Sequence, residues 1–531
     1  MTPPRYSVHA EPLSIKDSAF KLSESTLKDY DCLVLIYTNA ETLQQFSIDA
    51  VSQLSKINLS FSSECSLIHS NIAPGNRLVL SPTAGLSGDT DDVRLFGEAA
   101  GAATRKAIAS GANKILIHIV DPPTLQIANG AYRNFAQVAL LGCLDVVNSR
   151  RNANTKVGIM FKDQKKGEEI IKVVVAIEEG RILARKIGTG CPEEMAPPKF
   201  AEAIMEAFKN EKAIKSELIQ DYDIMLKEYP LLAAVGRSAS KVHRHNSRIV
   251  KLEYKSPDQS KVKENLSFIG KGITLDTGGL DIKAGGGMRG MSRDCLGAGS
   301  VAALMLTIAK LQPEHINVSA KLAIVRNNTG SEAYSCDEVI TSRAGKRVLV
   351  GNTDAEGRMV MTDLLCEAKE EALESMKKHS VPHRLFTVAT LTGHACIAFG
   401  PYSTSLSNGP ASADMISHRL AKAGHVWGDP FEISTLRRED FSMVRPGNPE
   451  SEDVVQANTL PTVRTARGHQ YPAAFMIIAS GLENHQGKIG YTHCDIAGAA
   501  EDEPIKLSLG RVNARPVPAL VGAFVIPEGC Q

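Results

Sequence analysis

The heptapeptide Asn352-Thr353-Asp354-Ala355-Glu356-Gly357-Arg358 lies between an apolar run, Arg347 to Val350, and a run of helical character from Met359 to about Met376. It reads as a turn at the C-terminal end of a strand, where open α/β sheets place their ligand sites. Asp354 and Glu356 point to one side if the backbone is extended, because side chains alternate along a strand. Two convergent carboxylates on a glycine-flanked turn make half of a metal site. Taken alone, such a charged triplet is a solvated turn roughly nine times in ten.

A second acidic segment, Gly270 to Asp294, shifts that balance. It follows another apolar run, Leu266 to Ile269, and spreads Lys271, Asp276, Lys283 and Asp294 among eight glycines. Glycine at that density implies backbone packed closely against something, or several turns with positive φ. A flexible loop is the alternative, and the flanking strand and helix patterns argue against it.

The heptapeptide, together with Gly270-Lys271-Gly272-Ile273-Thr274-Leu275-Asp276-Thr277-Gly278-Gly279 and Asp294, resembles the leucyl aminopeptidase (cytosol aminopeptidase) family of di-metal exopeptidases. The resemblance covers residues 185 to 500, and Met291-Ser292-Arg293-Asp294-Cys295 looks closest to an aminopeptidase-like branch found in animals. It implies that one divalent ion is held by Lys271, Asp276, Asp294 and Glu356. A second is held by Asp276, Asp354 and Glu356. Lys271 can ligate only as a neutral amine, which two adjacent dications would permit by depressing its pKa. A lone lysine after a strand is ordinarily a surface residue; only its place in Gly-Lys-Gly-x-x-x-Asp says otherwise. By the same resemblance Lys283 stays charged and stabilises the oxygen that becomes negative in the tetrahedral intermediate. Arg358 holds a bicarbonate that serves as general base, a planar anion suited to a guanidinium fork. Met291, Thr390 and Gly393 match side-chain pocket positions. A generic core methionine is the competing reading of Met291, at a prior of roughly one in three.

The chemistry is coherent. Peptide hydrolysis without a covalent intermediate needs an activated water, a polarised carbonyl and a held substrate, which two divalent cations can supply. Asp276, Asp294, Asp354 and Glu356 bring four negative charges against four positive ones, the balance a buried site requires. A carboxylate-rich, cysteine-free set favours Zn²⁺, Mn²⁺ or Mg²⁺. A free α-amino group that coordinates one ion and pairs with Asp294 makes the substrate a peptide with a free N-terminus. Leucine-like selectivity is family analogy only. Several departures flank the chemistry without removing a ligand: Lys283 is followed by Ala284 and three glycines, Thr392-Gly393 by His394, and Tyr491 stands where the family has Trp. They bear on pocket shape, and they motivate an alternative in which the chain is a catalytically weak member acting as a binding or scaffold protein.

At 531 residues the chain is long enough for two domains. Alternating strands and helices predict α/β architecture throughout, each domain a mixed or mostly parallel sheet flanked by helices. The expected boundaries are an N-terminal α/β domain at 1–185, a Gly- and Pro-rich linker at 186–200 and the di-metal peptidase domain at 201–531. Strands are expected at Cys32–Tyr37, Lys114–Val120, Val157–Phe161, Val173–Ile177, Leu231–Val235, Arg248–Tyr254, Val318–Val325 and Leu385–Leu391. Helices are expected at Val93–Ser110, Tyr132–Val147, Phe200–Phe208, Ala298–Gln312 and Pro472–Ser480. Sixty basic against 59 acidic residues give a net charge of +1, with no basic stripe, which argues against a nucleic-acid partner. Ten cysteines without a C-x-x-C pair, no signal-like N-terminus and no apolar run near the roughly 20 residues that span a bilayer predict a cytoplasmic protein with no membrane partner. A homohexamer is what the family implies; no sequence pattern carries it. Neither H-E-x-x-H nor G-x-S-x-G occurs, and Gly285-x-Gly287-x-x-Gly290 does not directly follow a strand, so its dinucleotide-like spacing is weak.

Overall fold

Cys32–Tyr37 has all six side chains buried, the mark of a strand covered on both faces. It is β2 of a sheet that also holds β1 (Tyr6–Pro12), β3 (Ser66–His69), β4 (Arg77–Pro82), β5 (Lys114–Ile119) and β6 (Thr155–Phe161). The order is β1-β6-β5-β2-β4-β3. Every neighbouring pair is parallel except β3 with β4. Helices α1 (Arg94–Ala109) and α2 (Phe135–Asn148) form where the apolar spacing predicts them. The structure, a computed structural model, describes residues 6–13, 15–16, 19–20, 22–46, 63–83, 86, 88–123, 130–149, 154–460, 464–485 and 488–527.

The strand expected at Val173–Ile177 is instead the middle of a long helix, α3 (Gln164–Gly188). Among its buried positions, Val174, Ile177, Arg181, Ala184 and Ile187 recur at three- and four-residue intervals. The β-branched run is thus a fragment of a longer helical period, which a five-residue window cannot register. The chain divides within α3 into two compact units. One is Met1–Glu178 with His425–Gly428; the other is Glu179–Gly424 with Asp429–Cys530. Of the stretch expected as a linker, residues 186–188 belong to α3, and Pro197 opens α4 (Pro197–Phe208).

The larger unit is built on an eight-stranded mixed sheet. Its strands are β7 (Ile214–Ile219), β8 (Arg248–Tyr254), β9 (Glu264–Asp276), β10 (Ile316–Asn327), β13 (His383–Ala389), β14 (Ser403–Ser407), β15 (Phe431–Thr435) and β17 (Gly490–Asp495), and β11 (Val339–Thr341), β12 (Arg347–Leu349) and β16 (Val454–Val455) make a small separate sheet. The large sheet runs β15-β14-β17-β13-β9-β10-β8-β7. Its centre, β10-β9-β13-β17, is parallel. Those four strands therefore end together, and the functional residues gather at that end. The run Leu231–Val235, expected as a strand, lies in a helix, α5 (Pro230–Gly236). Five apolar residues in a row do not distinguish the two states; Pro230 at the first helical position does, since its fixed φ starts a helix and removes a donor that is unbonded there anyway.

Helices α6 (Leu296–Leu311), α7 (Glu356–Met376), α8 (Gly393–Phe399) and α9 (Tyr471–Ala479) complete the parts that matter for the site. The segment Met291–Leu311 is, against expectation, long and apolar enough to cross a bilayer, but 89% of its apolar window is buried in the fold, so it is a core helix. One apolar core joins α5, α7 and α9 through Leu232, Val235, Met359, Leu364, Phe475 and Ile478.

Candidate metal centre

β9 carries further than the sequence suggests. Gly270, Lys271 and Gly272 are strand residues, and the strand ends on Asp276. Lys271 thus rises from the middle of a buried strand and is only 3% exposed. Its Nζ lies 2.8 Å from Asp294 Oδ1 and 2.8 Å from Glu356 Oε1. It also donates to the carbonyl of Thr390 at 3.0 Å. Asp294 reaches this point from the short 3₁₀ turn Met291–Arg293 that precedes α6. Glu356 is the first residue of α7, where a carboxylate is favoured by the helix dipole.

Asp276, Asp294 and Glu356 are all buried and each offers a carboxylate oxygen, the three atoms lying within 4.8 Å of one another. Oδ2 of Asp294 and Oε2 of Glu356 are buried with no hydrogen-bond partner among the described residues. Buried polar atoms are rarely left in that condition outside functional sites. Burial would lower the Lys271 pKa, but Asp294, Glu356 and Asp276 outweigh it and raise it above the usual lysine range. Burial, with repulsion from Glu356 and Asp276 against the pull of Lys271, pushes the Asp294 carboxyl well above the carboxylate range.

Asp354 stands apart from this group. The turn is not extended: Ala355 sits at φ −111°, ψ 41°, and Glu356 already belongs to α7. The expectation that Asp354 and Glu356 share one side of a strand therefore fails. Asp354 turns instead to Lys283, whose Nζ is 2.5 Å from Asp354 Oδ1 and 2.9 Å from Asp276 Oδ2. Burial and the neighbouring Asp276 and Glu356 raise the Asp354 carboxyl to about 7. Lys283 is pushed above its usual range because Asp276, Glu356 and Asp354 more than offset its burial. Four carboxylates and two ammonium groups thus form one continuous cluster with an excess of negative charge.

Arg358 is also buried, but it forms no ion pair with a carboxylate among the described residues. Its Nη1 donates to the carbonyl of Gln456 at 2.9 Å and its guanidinium lies 5.3 Å from the centre of the Tyr471 ring. Nε has no hydrogen-bond partner among the described residues. Thr390 follows β13 directly, and its hydroxyl donates to Asp294 Oδ1 at 2.7 Å. Gly393 is the exposed first residue of α8, whose N-cap is Thr392. Met291 is partly buried one turn before Asp294, and its carbonyl accepts the Asp294 N–H at 3.4 Å. Among the described contacts, neither the Met291 side chain nor Gly393 hydrogen-bonds a carboxylate of the cluster.

Residues that sequence reasoning passed over hold the two ligand segments in place. Asp281 Oδ2 accepts the Thr353 N–H at 2.7 Å, while the Asp281 N–H donates to Thr353 Oγ1 at 2.8 Å. Gln456 accepts from the backbone of Gly351 and Asn352 and donates to the carbonyls of Asn352 and Ala355. Asn327 and Tyr334 both donate to the Thr353 carbonyl, at 3.1 and 2.7 Å. The tight bend after Asp276 needs Gly278: its φ is +86°, and a Cβ there would lie 2.4 Å from the Asp281 carbonyl. No local pattern marks Gln456 or Tyr334. Asn327 ends β10 opposite Asp276 at the end of β9, a pairing that no local pattern announces either.

Residues 182–521 match the family model described as cytosol aminopeptidase family, catalytic domain. The "Putative aminopeptidase W07G4.4" of Caenorhabditis elegans is 37% identical over 538 residues, covering 97% of each chain. The "Probable cytosol aminopeptidase" of Metamycoplasma salivarium is 31% identical over 345 residues, covering 64% of this chain and 60% of its own. Among solved structures, "Bottromycin maturation enzyme BotP in complex with Mn" superposes with a TM-score of 0.74 at 20% identity, over 93% of this chain and 98% of that one, a likeness of fold.

Proposed function

This chain belongs to the cytosol aminopeptidase family, a family of hydrolases, and on that premise we propose that it removes N-terminal residues from peptides with two divalent cations held at the end of β9. The observation that carries the proposal is the buried trio Asp276, Asp294 and Glu356, with ligand atoms within 4.8 Å and two carboxylate oxygens without a hydrogen-bond partner among the described residues. Such a group, with more negative than positive charge, is costly unless cations complete it. The donor set fits the group: Lys271, Asp276, Asp294 and Glu356 would hold one ion, and Asp276, Asp354 and Glu356 the other. Oxygen-rich ligation suits Mn²⁺, Zn²⁺ or Mg²⁺.

When bound, such ions polarise a carbonyl and make water acidic enough to attack it near neutral pH. The chain's own residues do the rest. Asp294, oriented by the Thr390 hydroxyl, receives the substrate's free α-amino group, so an acylated N-terminus is rejected. Lys283 is part-exposed at the edge of the cluster, where its ammonium can reach the oxygen that gains charge. Arg358 has no carboxylate within ion-pairing distance among the described residues, and its bare Nε leaves a donor for a small planar anion. Bicarbonate is the anion proposed, and held by Arg358 it would supply a general base. Met291, Thr390 and Gly393 border the side-chain pocket, which prefers leucine-like residues. The same reading carries a cytoplasmic homohexamer, for which light scattering should give six times the chain mass.

The test compares leucine amide with N-acetyl-leucine amide. Metal-stripped protein receives Mn²⁺, Zn²⁺ or Mg²⁺, with Glu356→Ala as control. Cleavage of only the free-amine substrate, restored by metal and lost in the variant, is the expected result. Stoichiometric metal binding with no cleavage of any free-amine peptide would overturn the catalytic assignment.

A further inference from the structure

We infer that Asn327 is a positioning residue of the metal centre, holding Asp276 and the 352–356 turn at a fixed separation with the two N–H bonds of one amide. The inference rests on the metal-centre reading above and extends it to a residue outside the ligand set.

Asn327 is fully buried at the C-terminal end of β10. Its Nδ2 donates to Asp276 Oδ1 at 2.8 Å and to the Thr353 carbonyl at 3.1 Å. One acceptor is the carboxylate that ends β9; the other belongs to the residue immediately before Asp354. A primary amide nitrogen has two hydrogens, and both are used. The amide orientation follows from its neighbours, because a flipped side chain would set its oxygen against two other oxygens. Asn327 is itself held by its backbone: its carbonyl accepts from Thr277 N at 3.0 Å and from Thr277 Oγ1 at 3.0 Å. A register shift between Ile273 and Asp276 places Asp276 opposite Asn327 in the parallel pair. The amide therefore bridges two segments far apart in sequence from a strand end that cannot readily move.

Each acceptor has a second donor. Asp276 Oδ1 keeps the N–H of Gly278 at 2.9 Å, and the Thr353 carbonyl keeps the Tyr334 hydroxyl at 2.7 Å. Removing the amide strands neither acceptor, so the penalty of an unsatisfied buried group is avoided. What is lost is orientation. With Oδ1 taken by Asn327 and Gly278, Asp276 presents Oδ2 to the cluster; without Asn327 the carboxylate can rotate about its last bond. Groups that orient metal ligands in this way are worth about ten- to a hundredfold in metal affinity.

The experiment is calorimetric titration of Mn²⁺ into the chelator-stripped full chain, with thermal unfolding in the same metal-free buffer. The variants are Asn327→Leu, close in shape with no donor; Asn327→Ser, with one donor; and Tyr334→Phe, which touches only the turn. Expected is about a tenfold to hundredfold weaker Mn²⁺ affinity in Asn327→Leu, a smaller loss in Asn327→Ser, and little change in Tyr334→Phe, with metal-free melting nearly unaltered. If Asn327→Leu does not fold, Asn327→Ser decides. Unchanged Mn²⁺ affinity in the folded Asn327 variants, or equal loss in Tyr334→Phe, would overturn the inference. A wild-type chain that binds no Mn²⁺, Zn²⁺ or Mg²⁺ would instead overturn the metal-centre reading beneath it.

Discussion

The α-carbon of Gly357 rests against the side chain of Lys271: a Cβ at that position would lie 2.6 Å from Lys271 Cε and 2.7 Å from both Cδ and Nζ. The glycine of the heptapeptide is therefore there for a neighbour 86 residues away in the chain, and its own backbone is ordinary helix. Gly357→Ala should be neutral or favourable to α7 itself, since alanine is the better helix former by about 1 kcal/mol. It must also push the Lys271 ammonium off Asp294 and Glu356. The expected outcome is a fall of about tenfold or more in kcat/KM and in Mn²⁺ affinity, with a lower melting temperature in metal-free protein because the buried ion pairs are weakened. Peptidase assays and metal titration on one preparation check it; full activity would mean that Lys271 has slack the packing does not suggest.

Lys283 gives a prediction of opposite sign for stability and metal response. Its ammonium, 16% exposed at the side chain, neutralises Asp276 and Asp354. In metal-free protein Lys283→Met leaves those carboxylates facing each other without a cation. Removing one partner of a fully buried pair costs about 3–5 kcal/mol, and the partial exposure of Asp354 discounts this to roughly 1–2 kcal/mol. Added Mn²⁺ should then raise the melting temperature of the variant by more than it raises that of wild type, because the ion replaces the missing charge. Scanning fluorimetry with and without Mn²⁺ reads both effects. An equal metal-induced rise in the two proteins would show that Lys283 does not share a site with the cation.

The heptapeptide and the Gly-Lys-Gly-x-x-x-Asp stretch marked the site because each concentrates charge on short, glycine-bounded backbone, which is legible in one dimension. The parallel centre of the large sheet was legible for a similar reason: β13 and β10 each carry a largely apolar stretch, Leu385 to Ala389 and Leu322 to Val325. Val173–Ile177 and Leu231–Val235 were misread because a short apolar run has no period of its own, and tertiary context decided for helix. Lys271 could not be placed in a strand interior from sequence, since burying a lysine is sensible only once Asp294 and Glu356 are known to converge on it. Asn327, Tyr334 and Gln456 were invisible for the same reason. They are ordinary polar residues whose meaning is the acceptor each one faces, and those acceptors come from other elements.

Asp363 supplies a pH dependence away from the site. It is fully buried on α7, accepting the Leu231 N–H at 2.7 Å and the Arg343 N–H at 2.8 Å, which ties the start of α5 to the loop before β12. Burial, opposed by those backbone donors, raises its pKa to about 7. In the unfolded chain an aspartate titrates near 3.9. Between those values the native state holds a proton that the unfolded state has released, so stability falls as pH rises. The contribution is fully present below about pH 4, is lost progressively as pH rises towards 7, and is gone above it. Asp363→Asn cannot titrate, and its amide nitrogen would oppose one of the two N–H donors. It should be less stable than wild type by about 1–3 kcal/mol at pH 5, with the gap narrowing at pH 8. Urea unfolding of both proteins at the two pH values measures this. A gap that widens with pH would mean that Asp363 is ionised in the native state and that its backbone donors, rather than burial, control it.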